Sequence, residues 1–183
     1  MSLLLIRHGR TQGNIERRYI GSRTDEPLCQ QGIKELQARE YLPVDYIFAS
    51  PMKRCLQTAE ILYPNAELRI VDDLRECDFG DFENLSYQEL NGRADYQAWI
   101  DSGGELPFPN GESRATFAAR SVCAFKQSIE ALPKYDIAFV VHGGTIMSIM
   151  EAYARPKGTY FDFQVSNGDG YLLEGNGIYQ RLL

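Results

Sequence analysis

A three-layer α/β sandwich is the fold class predicted by this 183-residue sequence, with a mostly parallel central sheet, helices on both faces and antiparallel strands at its C-terminal edge. Three observations predict it. The run Leu3-Leu4-Leu5-Ile6 is apolar without polar alternation, the mark of a strand buried on both faces, and it ends abruptly in Arg7-His8-Gly9. The design recurs at Ile137–Val141, which leads into His142-Gly143-Gly144 and an apolar, helix-like stretch, 145–150. Finally, Phe161–Val165, Tyr171–Glu174 and Ile178–Leu182 read as short antiparallel strands, joined by Asn167-Gly168-Asp169-Gly170 and Gly175-Asn176-Gly177 turns.

The elements between follow from periodicity and punctuation. Thr11–Tyr19 is polar and basic, a short helix loosening into a loop through 20–27. Two readings of Arg17, Arg18 and Arg23 stay open: a solvated face, or the entrance for an anion. Gln30–Leu42 carries Ile33, Leu36 and Leu42 at helical intervals. Val44–Ala49 reads as a second strand, and Ser50-Pro51 as the N-cap and first position of a helix over Met52–Leu62. That helix bears Arg54 in its first turn, where the helix dipole disfavours a cation unless an anion is bound nearby. Leu68–Val71 is a third strand, and the acidic, aromatic 72–83 passage is neither a clean helix nor a strand. Short helical pieces around Tyr96 and Trp99 and a Gly/Pro-rich loop make 85–112 a lid-like insertion over the sheet edge. Ser113–Leu132 is a long amphipathic helix with Phe117, Val122, Phe125 and Ile129 inward, and Asp136 opens the strand that ends at His142.

Composition narrows the function. With 44% hydrophobic and 24% charged residues the chain suits one globular domain over 1–183. A net charge of −6 argues against a nucleic-acid binder, so any anionic ligand must meet a local cluster of arginines. The four-residue apolar run before Arg7 is too short for a signal-peptide core or a membrane span, which makes a cytoplasmic protein the expectation. Cys29, Cys55, Cys77 and Cys123 are scattered, with no C-x-x-C pair, which suggests neither a zinc site nor a redox motif.

The chain has two histidines, His8 and His142, and each ends a strand just before a glycine. In open α/β sheets ligands bind outside the carboxyl ends of strands, so the two imidazoles are expected to share one crevice. Arg7 and Arg54 fall at matching strand ends and helix starts. Fork-shaped guanidinium donors fit phosphate oxygens, and imidazoles serve as nucleophile, proton carrier or donor. Phosphoryl transfer to a histidine asks for this set, since its transition state needs positioning and neutralised oxygens.

At these residues the sequence resembles the histidine phosphatase, or phosphoglycerate-mutase-like, superfamily. Arg7-His8-Gly9-Arg10-Thr11-Gln12-Gly13-Asn14 resembles its R-H-G-x-T-x-x-N signature, and the stretch from Ser50 to Ala59 its S-P-x-x-R-x-x-Q-T-A helix. Leu74–Glu83 is similar to its L-x-E-x-x-F-G-x-W-E segment with Phe82 for tryptophan, while Asn110–Ser113 and Val141–Gly144 match its G-E-S turn and second histidine motif. The resemblance implies that His8 becomes a phosphohistidine and that Arg7, Arg54 and His142 hold the phosphoryl oxygens, with Asn14, Gly21 and Gly143 adding contacts. It implies Glu76 as the acid that protonates the leaving oxygen and then takes a proton from water. The residues alone leave Glu76 open to being a surface carboxylate paired with Arg75 or another arginine. The scheme needs no metal and no cofactor.

Departures from the pattern bear on substrate rather than reaction: Arg10 where glutamate is common, Cys29 for a capping Ser or Thr, Asn84 for glycine, Met147 for arginine. The compact chain favours a phosphomonoesterase acting on a small-molecule phosphate ester over a mutase, and its segments look most like α-ribazole phosphatases and broad-specificity relatives, which implies α-ribazole 5′-phosphate as a candidate substrate. A non-catalytic binding protein on the same fold is the reading from another class. Cysteine-phosphatase, G-x-S-x-G and P-loop motifs are absent.

Overall fold

The computed structural model describes residues 2–182. One sheet holds β1 (Ser2–Arg7), β2 (Tyr46–Ala49), β3 (Glu67–Ile70), β4 (Ile137–Val141), β5 (Gly170–Glu174) and β6 (Tyr179–Arg181), in the order β3-β2-β4-β1-β5-β6. The first four run parallel, β5 runs antiparallel to β1, and β6 pairs antiparallel with β5. The apolar run of β1 lacks alternation because both faces are covered. Leu3 and Leu5 join Phe48, Phe125, Phe139 and Ile146 on one side, while Leu4 and Ile6 pack with Ala138 on the other.

The helices are α1 (Gln12–Ile15), α2 (Gln30–Gln37), α3 (Lys53–Leu62), α4 (Tyr87–Leu90), α5 (Ala94–Asp101), α6 (Arg114–Ala131) and α7 (Gly143–Tyr153). Through Cys55 and Ala59, α3 covers Ile47, Ala49 and Val140. On the other face α6 and α7 supply Phe125, Ile146 and Ile149. Among the described residues no helix is long and apolar enough to cross a membrane.

Several elements differ from the sequence expectation, each for a local reason. The helix expected over Gln30–Leu42 stops at Gln37, because Pro43 disfavours helical backbone at Leu42 and the segment is tied elsewhere. Arg39 Nη1 donates to Asn167 O (3.2 Å) and Tyr41 Oη to Gly168 O (2.6 Å). Cys29 does cap this helix, its sulfur accepting from Gly32 N at 3.3 Å. Ser50 and Pro51 do not start α3, whose N-cap is Met52 with no side-chain cap. Asp25 Oδ1 accepts from Lys53 N at 2.7 Å instead, which releases Ser50 for another task. The strand expected at Phe161–Val165 is a 3₁₀ turn over Tyr160–Phe163, closed by a Thr159/Asp162 capping box. On α6 the buried stripe runs through Phe117, Ser121, Ala124, Phe125 and Ser128, and Val122 lies half-buried beside it. Asn84, standing where glycine is common in the resembling family, has φ +59, a left-handed backbone that asparagine tolerates better than most residues.

The 85–112 segment packs through rings. Phe82, Tyr96, Trp99, Phe108 and Phe117 form one cluster, with Trp99 and Phe108 centroids 4.9 Å apart.

Candidate active site

Strand register creates the site. Arg7 of β1 lies opposite Val141 of β4, so the residues that follow, His8 and His142, leave the sheet side by side. Their ring centroids are 5.2 Å apart, with planes inclined at 66°. On the other flank of β4, Ser50 N donates to Val140 O (3.2 Å), which sets Ser50 Oγ 2.7 Å from His142 Nε2. The two histidines expected to meet do so across more than a hundred residues of chain, because β4 inserts between β1 and β2.

His8 Nδ1 lies 2.7 Å from Gly9 O. A carbonyl only accepts, so Nδ1 carries the proton and Nε2 keeps its lone pair. Burial pushes both imidazoles well below the ordinary 6.5, with the Arg54 charge adding to the effect. Both rings are therefore neutral near pH 7.

Arg54 is fully buried at the start of α3, where Nη1 donates to Thr24 O (2.8 Å) and Nη2 to Gly21 O (3.0 Å). Arg7 Nη1 donates to Val165 O at 2.7 Å. Neither buried Nε has a partner among the described residues. An unpaired buried donor costs about 1–3 kcal/mol, more when charged, so each of these donors is left free to meet an acceptor oxygen. The helix dipole at α7 acts in the same sense, as Gly143 opens that helix directly after His142.

Glu76 is buried, 7% exposed, and Arg75 pairs with Asp72 at 3.2 Å, so the surface pair with Arg75 does not form. Its Oε1 accepts from Cys77 N (2.9 Å) and Oε2 from Gly144 N (3.3 Å). Desolvation raises its pKa despite these N–H groups and the nearby Arg54 and Arg7. A Cβ on Gly144 would fall 2.6 Å from Glu76 Oε1 and 2.9 Å from the Phe117 ring, so glycine is needed there to admit the carboxyl.

Asn14 Oδ1 accepts from Thr11 N (3.2 Å) and Asn167 Nδ2 (2.9 Å), which leaves its own amide NH₂ as the group to offer a ligand. Gly21 enters differently from expectation. Its N–H is taken by Glu83 Oε1 (2.8 Å), and it supports the site through the carbonyl that holds Arg54.

Sequence reasoning missed four supporting residues. Ser50 looked like a cap and Asn167 like a turn, yet Asn167 Nδ2 also donates to His8 O at 3.1 Å, bracing the end of β1. Gly144 was eclipsed by Gly143. Arg120 lies in a stretch read only for its apolar stripe; its guanidinium grips Glu112 Oε1 (2.8 Å) and Glu76 O (3.0 Å), which gives the G-E-S turn a job in holding Glu76. Arg10 pairs with Glu35 at 3.3 Å, and Arg23 with Asp78 at 2.7 Å.

Above this floor lies a cavity of about 370 Å³ lined by Arg7, His8, Asn14, Glu76 and Gly143. Its walls are aromatic: Tyr19, Phe79, Trp99, Phe108, Phe117, Tyr160 and Phe161, with Met147 among them. Arg54 and His142 sit fully buried behind the lining.

Paired strand-end imidazoles, two guanidiniums with unspent donors and a buried carboxyl on one α/β sheet define a phosphoryl-handling enzyme class. The chain belongs to the histidine phosphatase superfamily (branch 1), whose family model matches residues 3–182. It is 32% identical over 157 residues to the uncharacterized phosphatase PhoE of Bacillus subtilis, covering 81% of this chain and 75% of that one. To the adenosylcobalamin/alpha-ribazole phosphatase of Escherichia coli it is 29% identical over 178 residues, 92% and 87% of the two chains. Its fold superposes on the alpha-ribazole phosphatase of Shigella flexneri with a TM-score of 0.84 at 25% identity, covering 100% and 95%. For a phosphoglycerate mutase of Thermus thermophilus the TM-score is 0.77 at 28% identity, covering 100% and 99%. The family's activities are phosphatase and phosphoglycerate-mutase-like chemistry on small phosphate esters.

Proposed function

We propose that this protein is a phosphomonoesterase that hydrolyses a small-molecule ester through a phosphohistidine on His8, with no metal ion. The observation that carries the reading is the 2.7 Å contact of His8 Nδ1 with Gly9 O, which fixes the tautomer with Nε2 unprotonated inside a site carrying two unpaired guanidinium Nε–H donors. Nε2 attacks phosphorus as the P–O ester bond breaks, and Glu76 in its protonated form, which burial favours by raising its pKa, gives its proton to the departing oxygen. Arg7, Arg54, His142, Asn14 and the N–H of Gly143 hold the three phosphoryl oxygens. Ionised Glu76 then takes a proton from water, whose oxygen attacks phosphorus as the P–N bond breaks. Inorganic phosphate leaves and both side chains return to their starting states.

The walls point to the leaving group. Seven aromatic side chains line a cavity of about 370 Å³, which suits a flat, apolar ring rather than a small glycerate. An α-ribazole 5′-phosphate, a benzimidazole nucleotide, has that character. The test is a panel of α-ribazole 5′-phosphate, nucleoside, sugar and glycerate phosphates, with vanadate as a transition-state mimic. The expected result is kcat/KM about tenfold or more higher for ring-bearing esters than for 3-phosphoglycerate, from apolar burial of the ring. Transfer to a glycerate hydroxyl outpacing release of phosphate would favour a mutase instead.

A further inference from the structure

Beside the catalytic cavity lies a second hollow of about 720 Å³ lined by Arg7, Arg10, Arg17, Arg18 and Arg181, and among the described residues no Asp or Glu lines it. In a chain of net charge −6 such a concentration of one sign is a local construction. The two hollows adjoin, since Arg7, Asn14, Arg18, Tyr19 and Gln164 line both. Arg10, Arg18 and Arg181 each hold a carboxylate, Glu35, Glu16 with Glu89, and Asp169 respectively. Arg17 makes no ion pair among the described residues and is exposed. It also occupies an unfavourable backbone position. With φ +56 it follows the one-turn α1 at the place where glycine ends helices most cheaply, so the chain keeps a long cation there against its backbone preference.

We infer that this hollow is a second anion site, which receives a negatively charged group, a phosphate or phosphodiester, carried on the half of the substrate that is released. The inference rests on the reading of the neighbouring cavity as the place of phosphoryl transfer and narrows its substrate class to esters with a second anionic centre. Arg17 supplies the uncommitted charge. Arg18 lines both hollows while Glu16 and Glu89 hold its guanidinium in place. Guanidinium forks match phosphate oxygens, and with partly exposed donors the attraction weakens as salt screens it.

Adenosine 5′-monophosphate and adenosine 3′,5′-bisphosphate, which differ only in the added phosphate, are the probes. Binding of each is measured by calorimetry to the full chain carrying His8→Ala, so that no turnover intervenes, and kcat/KM for 5′-phosphate release is measured with His8 intact. The bisphosphate is expected to bind and turn over about tenfold better at low salt, a preference that shrinks at high salt. Arg17→Gly, which removes the charge and relaxes the backbone, should abolish the preference and leave hydrolysis of the monophosphate within about twofold, while Arg17→Lys retains it. Equal dissociation constants for the two probes, or a preference that survives Arg17→Gly, overturns the inference. Tighter monophosphate binding on addition of sulfate, with no gain for the bisphosphate, also overturns it, since that hollow would then serve a free anion. Preference in binding without turnover of either probe would sink the phosphatase reading and leave the second site standing.

Discussion

The floor and the walls of the cavity are made of different material. The floor is set by strand register and backbone hydrogen bonds: His8 by Gly9 O, Arg7 by Val165 O, Arg54 by Thr24 O and Gly21 O, Glu76 by two N–H groups. The walls are set by ring packing, with Tyr19 edge-on to Phe79 at 5.6 Å and Phe108 tilted over Phe79 at 4.9 Å. Main-chain partners fix polar atoms to a fraction of an ångström and survive change around them. Rings in van der Waals contact specify shape and exchange easily for other rings. Chemistry and selectivity should therefore come apart under mutation.

The largest expected effect is on the floor. His8→Ala should lower turnover by about 10⁴-fold or more, because its nucleophile cannot be replaced by its neighbours. The fold should persist, and the same change tests the burial of the rings. His8 and His142 have folded pKa values below the unfolded 6.5, so the unfolded chain binds protons that the native one refuses. Stability is then full above about pH 6.5 and declines as pH falls through that value. With one of the two rings removed, the acid-side fall in Tm should become shallower; an unchanged slope would contradict neutral burial.

Glu76→Gln comes next. Loss of the acid should cost about 10²–10³-fold on alkyl phosphates and under about tenfold on nitrophenyl phosphate, whose leaving group needs little protonation. The pH profile gives the sign. Activity rises on the acid side as His8 loses its proton, at a pH below the usual imidazole value, and falls on the alkaline side as Glu76 ionises, at a pH above the usual carboxyl value. The Gln variant should lose the alkaline limb. Equal losses on both esters would remove Glu76 from the acid role.

The smallest effect belongs to the walls. Trp99→Ala should reduce kcat/KM about tenfold for ring-bearing esters and under about threefold for 3-phosphoglycerate, acting through KM. If both substrates suffer alike, the walls serve stability rather than selection. A chelator should leave every one of these rates unchanged.

The same division explains what was legible in the sequence. The floor comes from local patterns with strong physical meaning: uninterrupted apolar strands, an Arg-His-Gly exit, a second His-Gly exit, and a basic helix start at Arg54. The sandwich with its antiparallel edge follows from those same runs. What stayed hidden depends on partners far away in the chain. Ser50 reads as an N-cap until Asp25 takes that place, and Phe161–Val165 alternates like a strand although Thr159-x-x-Asp162 carries the signal of a capped turn. Asn167 resembles any turn residue, and its hold on His8 O and Asn14 spans over 150 residues. Arg17 is an ordinary surface arginine in sequence, and only its left-handed backbone and its place in the five-arginine hollow distinguish it.

The central claim, that His8 Nε2 carries the phosphoryl group between two half-reactions, is tested most directly by rapid acid-free quenching of turnover with a phosphorus-labelled aryl ester, followed by peptide mapping. The account predicts one label per chain on His8, stable to base and labile to acid, and none in His8→Ala. Label on a serine or cysteine, or undiminished hydrolysis by His8→Ala, would contradict it.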